Sequence, residues 1–188
     1  GLIIFEVKDW ALEQIREANP QNFTLTVNGR NEERENPLKQ AKTYCRKLMD
    51  KIREDRRLVS KEPQHAGNPK IPIHEVVVFP NINKHEYIQK ALDRVIAADR
   101  IFFWDDLHPQ SDISRDPSGQ TFAAALQQKY STSFHFNLTP DELQHLRQLI
   151  FPVVRIELPD RSHAPQHEKQ QNRIKMLDHN QETIARKI

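Results

Sequence analysis

The sequence predicts an α/β fold, in which apolar strand-like runs alternate with amphipathic helical segments. Three observations carry that prediction: the opening run Leu2-Ile3-Ile4-Phe5-Glu6-Val7-Lys8, an apolar stripe of Leu38, Ala41, Cys45, Leu48 and Ile52 at helical spacing, and a second apolar run from Ile73 to Phe79. In the opening strand, side chains alternate between faces, so Ile4, Glu6 and Lys8 share one face and Ile3, Phe5 and Val7 take the other. A carboxylate and an ammonium are thereby placed two residues apart at the end of a strand.

The remaining elements follow in order. Trp10 to Asn22 mixes charge with scattered apolar residues, and Phe23, Leu25 and Val27 then alternate with Thr24 and Thr26 before Asn28-Gly29, which reads as a strand and a turn. Arg30 to Glu35 reads as a polar connection. Asn36 can cap a helix and Pro37 suits its first turn, so a long helix is expected through about Arg56. Ser60 to Pro72 is a loop, and the strand Ile73 to Phe79 is ended by Pro80-Asn81. The spacing of Ile88, Ala91, Leu92, Val95 and Ile96 predicts a helix over Lys84 to Ala98, followed by a short buried strand from Arg100 to Trp104.

After Trp104, the adjacent acids Asp105-Asp106 face opposite ways if extended and read better as a turn or a helix cap. A polar loop around Ser111 to Gly119 precedes a helix from Thr121 to Tyr130. Thr139-Pro140-Asp141-Glu142 has the form of a capping box opening another helix. Val153 to Leu158 reads as a strand, Pro159 to Gln171 as a polar linker, and Asn172 to Ile188 as a helical segment. His163 and His167 lie in that linker with Pro165 between them, which favours solvated side chains over a chelating pair.

Composition narrows the function classes. The chain has 188 residues, 29% charged and 37% hydrophobic, with a net charge of +2. That charge gives no global basic field, so any contact with nucleic acid must be local. Basic residues do cluster at Arg46 to Lys51 and Arg53 to Arg57, interspersed with Asp50, Glu54 and Asp55 in a pattern that suits a salt-bridged helix face. The single cysteine, Cys45, excludes an internal disulfide and a Cys-based zinc site and sits among apolar helix positions. No apolar run approaches the roughly 18 residues needed to span a bilayer, and no charged-then-apolar leader is seen. A soluble protein of the reducing cytoplasm, with no membrane and no disulfide-linked partner, is the expectation. Gly1 leads straight into a core strand without a Met, so a segment upstream is also expected.

Taken alone, Glu6-Val7-Lys8 reads as a solvated charged strand edge or as a place for chemistry. An oxygen ligand for Mg²⁺ beside a fixed positive charge suits phosphodiester hydrolysis, where the metal activates water and the lysine orients it or offsets phosphate charge. About thirty residues later, Asn36-Pro37-x-x-Gln40-Ala41-x-x-Tyr44 opens the long helix and puts Gln40 and Tyr44 on one face. Gln40 has two readings of equal weight, a site role or the satisfaction of a buried backbone group.

Together these motifs resemble the nuclease-related domain, NERD, a branch of the PD-(D/E)XK restriction-endonuclease-like superfamily. Its pattern is Gly-x-x-x-x-Glu-x-Lys followed by Asn-Pro-x-x-Gln-Ala, and Gln40-x-x-x-Tyr44 is also similar to a helix of RecB-like nucleases. The resemblance covers roughly the first hundred residues. It implies a restriction-endonuclease-like mixed β-sheet core flanked by helices, with Glu6 as a metal ligand for Mg²⁺ or Mn²⁺ and Lys8 as the catalytic lysine. It also implies that Gln40, together with Tyr44, orients the site or contacts DNA. The family pattern places a further acidic ligand, usually Asp, on a preceding strand, whereas only five residues precede Glu6 here. The fold is therefore expected to be N-terminally truncated and this piece alone inactive. Asp9 points away from Glu6 if the strand continues, and neither Glu13 nor Glu17 is assigned as a ligand.

Met176 to Arg186, containing Gln181, resembles the segment preceding the phosphate-binding loop of superfamily I DNA helicases, in which the Gln reads adenine. The Gly-x-x-x-x-Gly-Lys-Ser/Thr loop itself is not in the chain, so ATP is expected only in a complete helicase. The organisation implied is a nuclease domain over 1–158 (core about 1–100, extension 101–158), a linker over 159–171, and the start of a motor over 172–188. Its partner would be DNA. A non-catalytic module that keeps the nuclease fold to grip DNA or dock a partner is the alternative.

Overall fold

The computed structural model describes residues 1–130 and 136–152. The expected strand Val153 to Leu158, the linker with His163 and His167, and the terminal segment with Gln181 lie outside the described residues. The description below concerns the compact unit Gly1–Ile150.

Two three-stranded sheets and their helices make an α/β fold consistent with a nuclease-like one. The parallel sheet has β1 (Leu2–Val7) at one edge, β5 (Ile73–Phe79) in the centre and β6 (Ile101–Phe103) beyond it. The antiparallel sheet is built from β2 (Ile15–Ala18), β3 (Asn22–Val27) and β4 (Arg30–Glu35), with β3 central. Asn28 and Gly29 join β3 to β4 with φ of 51° and 74°, the left-handed pair a tight hairpin needs and that Asn and Gly tolerate best. Phe23 and Leu25 from β3 bury themselves against Val77 and Phe79 of β5 and Ile101 and Phe103 of β6, which joins the two sheets in one core.

Helix α1 (Pro37–Arg53) packs across β1 and β5. Its start is fixed by Asn36, whose side-chain oxygen accepts from the backbone N–H groups of Leu38 at 2.9 Å and Lys39 at 3.4 Å. Such a cap contributes about 1 kcal/mol. Asn36 is itself buried, and its amide donates to the Asn19 carbonyl at 3.1 Å, so the cap also ties α1 to the end of β2. Ala41, Cys45 and Ile52 form the buried stripe. Burial and the neighbouring Glu75 carboxylate raise the Cys45 thiol to about 11, which makes it an inert packing group. On the opposite face of the parallel sheet, Val76, Val78 and Phe102 pack against Tyr130 and against Phe122 and Leu126 of α5 (Gln120–Lys129).

The structure corrects several expectations. Arg30 to Glu35 is a strand, not a polar connection; its pairing with β3 is set by the hairpin turn, and its exposed side chains give no apolar alternation to read. The expected helix over Lys84 to Ala98 stops early: α2 spans Lys84–Gln89, Ala91 takes a left-handed φ of 55°, and Leu92–Arg94 is a 3₁₀ turn. Tyr87 explains the break. Its buried hydroxyl donates toward the carbonyls of Leu92 at 3.0 Å and Ile96 at 3.1 Å, wrapping the chain around the ring while Leu92 and Ile96 enter the same core. Asp105 and Asp106, in the single turn α3 (Trp104–Leu107), do act as caps: Asp105 accepts from the Lys84 N–H at 2.7 Å and Asp106 from the Phe103 N–H at 2.9 Å. A further turn, α4 (Asp112–Arg115), interrupts the polar loop.

Helix α6 (Pro140–Ile150) opens with the expected capping box: Thr139 N–H donates to Glu142 at 2.9 Å and Glu142 N–H to the Thr139 hydroxyl at 3.2 Å. It docks through Leu146 on Ile52, Leu58 and Ile71 and through two ion pairs, Lys70–Glu142 and His145–Asp55. Among the described residues no helix is long and apolar enough to cross a membrane.

The ion pairs at α6 make its docking pH-dependent. The hydrogen bond from His145 holds Asp55 below its usual range, and that from Lys70 does the same for Glu142. A depressed carboxyl pKa stabilises the fold above the unfolded value of about 4 and ceases to do so as pH falls through the folded value. Hydrogen exchange should therefore show α6 amides losing protection below about pH 4 before those of β5, and D55N/E142Q should abolish that difference in pH response.

Candidate active site

Parallel pairing sets the site. Glu6 lies opposite Val77 and Val7 opposite Val78, and the Lys8 N–H extends the ladder by donating to the Val78 carbonyl at 3.0 Å. The Lys8 backbone is thus held although it lies one residue beyond β1. Glu6 and Lys8 project toward α1, and their side chains meet at 2.7 Å. Both are largely enclosed, with 12% of the Glu6 side chain and 21% of the Lys8 side chain exposed. That leaves an ion pair partly screened from water yet reachable from outside.

Helix α1 supplies the second half. Its first turn stands over the C-terminal end of β1, and the Lys8 ammonium donates to the Gln40 side-chain oxygen at 3.0 Å. The Gln40 amide in turn donates to the Tyr44 hydroxyl at 2.7 Å. Glu6, Lys8, Gln40 and Tyr44, the residues singled out from the sequence, therefore form one continuous chain of contacts. Of the two readings for Gln40, satisfying a buried backbone group is the one the geometry does not show: among the described residues its side-chain amide bonds to the side chains of Lys8 and Tyr44.

Trp10 was not foreseen. Its ring lies 5.5 Å from Phe23 and 6.0 Å from Phe79, and the Lys8 ammonium sits 5.7 Å from the indole centroid. The indole closes one side of Lys8 and attracts its charge. An aromatic two residues after the lysine was the available signal, and strand alternation would have put the two on one face.

Two of the three Lys8 N–H bonds are engaged by Glu6 and Gln40, which leaves one for an anionic oxygen. Among the described residues, the second Glu6 oxygen makes no hydrogen bond. The arrangement can hold a phosphate next to a carboxylate. It does not by itself complete a hard-metal site: among the described residues no cluster of three or more His, Cys, Asp or Glu is arranged to hold an ion. Glu75, on the same face of the neighbouring strand opposite Ile4, is turned to Cys45 and to Arg100, whose guanidinium lies 3.9 Å away. Asp9, Glu13 and Glu17 are exposed and do not gather with Glu6 into a metal-binding cluster. Glu6 thus offers one ligand of the several that Mg²⁺ requires.

The network makes a thermodynamic prediction. Gln40→Ala should lower stability by about 1 kcal/mol in denaturant unfolding, and Tyr44→Phe should add almost nothing in the Gln40→Ala background, since among the described residues the tyrosine hydroxyl is bonded only to Gln40. Additive losses would show that the two side chains are not linked.

No curated protein and no solved structure showed significant similarity to the chain. Residues 1–80, the stretch from β1 through β5 that carries Glu6, Lys8, Gln40 and Tyr44, match the family model of the nuclease-related domain, NERD.

Proposed function

We propose that this protein is a nuclease module that hydrolyses phosphodiester bonds in DNA, with Glu6, Lys8 and Gln40 as its working residues. The observation that carries this reading is the enclosed Glu6–Lys8 pair at 2.7 Å, fixed by Gln40 and lying inside the segment that matches the nuclease-related domain. Lys8 would bind a non-bridging phosphate oxygen through its free N–H and offset the charge that grows as the phosphorus becomes pentacoordinate. Gln40 and Trp10 hold the ammonium on that oxygen's path, so that little reorganisation is left to the reaction itself.

Glu6 would contribute one carboxylate toward Mg²⁺ or Mn²⁺, the ions that acidify a water and polarise phosphate in such chemistry. The remaining ligands would come from outside the described residues, and the roles assigned to Lys8 and Gln40 do not depend on them. The helicase-like segment around Gln181 supports a module joined to an ATP-dependent DNA motor, acting in DNA processing in the cytoplasm. A second reading, a nuclease-fold module that grips DNA without cutting it, is favoured by one observation: among the described residues no cluster of acidic or histidine side chains around Glu6 is arranged to hold a metal ion.

Cleavage of labelled single- and double-stranded DNA with Mg²⁺ separates these readings. With any upstream segment of the natural protein included, the nuclease reading expects cleavage that falls at least about 100-fold in Glu6→Ala while folding persists. Binding without cleavage in both proteins would establish the gripping module instead.

A further inference from the structure

The exposed flank of α1 continues the site away from Lys8. Gln40, Tyr44, Lys47 and Lys51 are spaced by four, three and four residues, which at 3.6 residues per turn puts them within about 60° of arc in a single row. The row begins at the Gln40–Lys8 hydrogen bond and runs for about 16 Å along the helix. Of the other cations on α1, Lys39 is paired with Glu35 at 3.2 Å and Arg53 with Asp50 at 3.3 Å, while Lys42 and Arg46 are exposed on the other flank of the helix and, among the described residues, make no ion pair. Lys47 and Lys51 are exposed and, among the described residues, make no ion pair and no hydrogen bond. Beyond the row, Lys51 shares one shallow depression with Arg56 and Arg57. The acids there, Glu54 and Asp55, offset part of that charge, although Asp55 is engaged by His145.

Tyr44 gives the row a second character. It is 42% exposed, and its hydroxyl is held by Gln40, so the ring is fixed at the surface with area left for a flat partner. A line of unpaired ammonium groups with an anchored aromatic near the site suits a flexible polyanion whose bases are free to stack. A duplex would hide those bases. We propose that the Gln40–Tyr44–Lys47–Lys51 row is a track for single-stranded DNA, in which Lys47 and Lys51 hold consecutive phosphates and Tyr44 stacks on an unpaired base next to Lys8. The inference rests on the reading that DNA reaches Glu6 and Lys8.

The test is fluorescence anisotropy of a labelled single-stranded oligonucleotide with the whole chain in EDTA, across a salt series. K47Q/K51Q should weaken binding about tenfold and make the slope of log affinity against log salt shallower by about 1.4, two phosphate contacts at 0.7 each. Tyr44→Ala should weaken binding about tenfold with the slope unchanged. K42Q/R46Q, which removes the same charge from the other flank of α1, should change affinity less than about twofold. The track is overturned if K47Q/K51Q binds like the original protein, if K42Q/R46Q loses as much, if duplex binds more tightly than the single strand, or if no binding occurs. Parallel cleavage measurements keep the two readings apart. A chain that binds through the row and never cuts contradicts the nuclease reading alone, whereas one that cuts with Mg²⁺ while K47Q/K51Q binds unchanged contradicts the track alone.

Discussion

The parallel pairing of β1 with β5 is the constraint on which the rest depends. Because both strands run the same way, the Lys8 backbone is tied by the Val78 carbonyl, while Trp10 just beyond is packed on Phe79. Helix α1 runs back over the same face: its first turn meets Lys8 through Gln40, and its last turn buries Ile52 near Leu2 and Ile73. A slip of one residue in that pairing would turn Glu6 and Lys8 to the other face and bring Phe5 and Val7 against α1. Chemistry and packing are therefore set by one register.

The charged pair is tolerated in this position because it is largely but not fully enclosed. A fully buried lysine and glutamate would have to recover a desolvation cost of several kcal/mol per ion, and a fully exposed pair would hold no fixed geometry. At the strand end the pair keeps one open side, and Gln40 replaces part of the water that Lys8 gives up. The antiparallel sheet contributes indirectly. Phe23 supports Trp10, and Asn36, bonded back to Asn19, fixes where α1 begins and hence where Gln40 stands.

Much of this was legible in the residues. The strands at Leu2–Val7, Asn22–Val27 and Ile73–Phe79 and the start of α1 at Asn36-Pro37 follow from alternation, β-branching and capping chemistry, all local effects. The constellation of Glu6, Lys8, Gln40 and Tyr44 was also legible, because each half is a short motif at fixed spacing. What was not legible was decided by tertiary partners. Arg30–Glu35 is a strand only because the Asn28-Gly29 turn delivers it to β3, and Lys84 to Ala98 is broken because Tyr87 collects two distant carbonyls. Both the helix and the wrapped turn bury Leu92 and Ile96, so periodicity cannot separate them. Trp10 escaped notice for a similar reason: its role is a contact with a side chain two residues away and two rings from different sheets.

The central claim is that the Lys8 network serves chemistry rather than holding the fold, and Lys8→Met tests it most directly. DNA cleavage with Mg²⁺ and unfolding in denaturant would be measured side by side on the same preparation. The account predicts a loss of cleavage of about 100-fold or more with stability changed by no more than about 1 kcal/mol. Unchanged cleavage, or a loss of cleavage matched by unfolding of the domain, would contradict it.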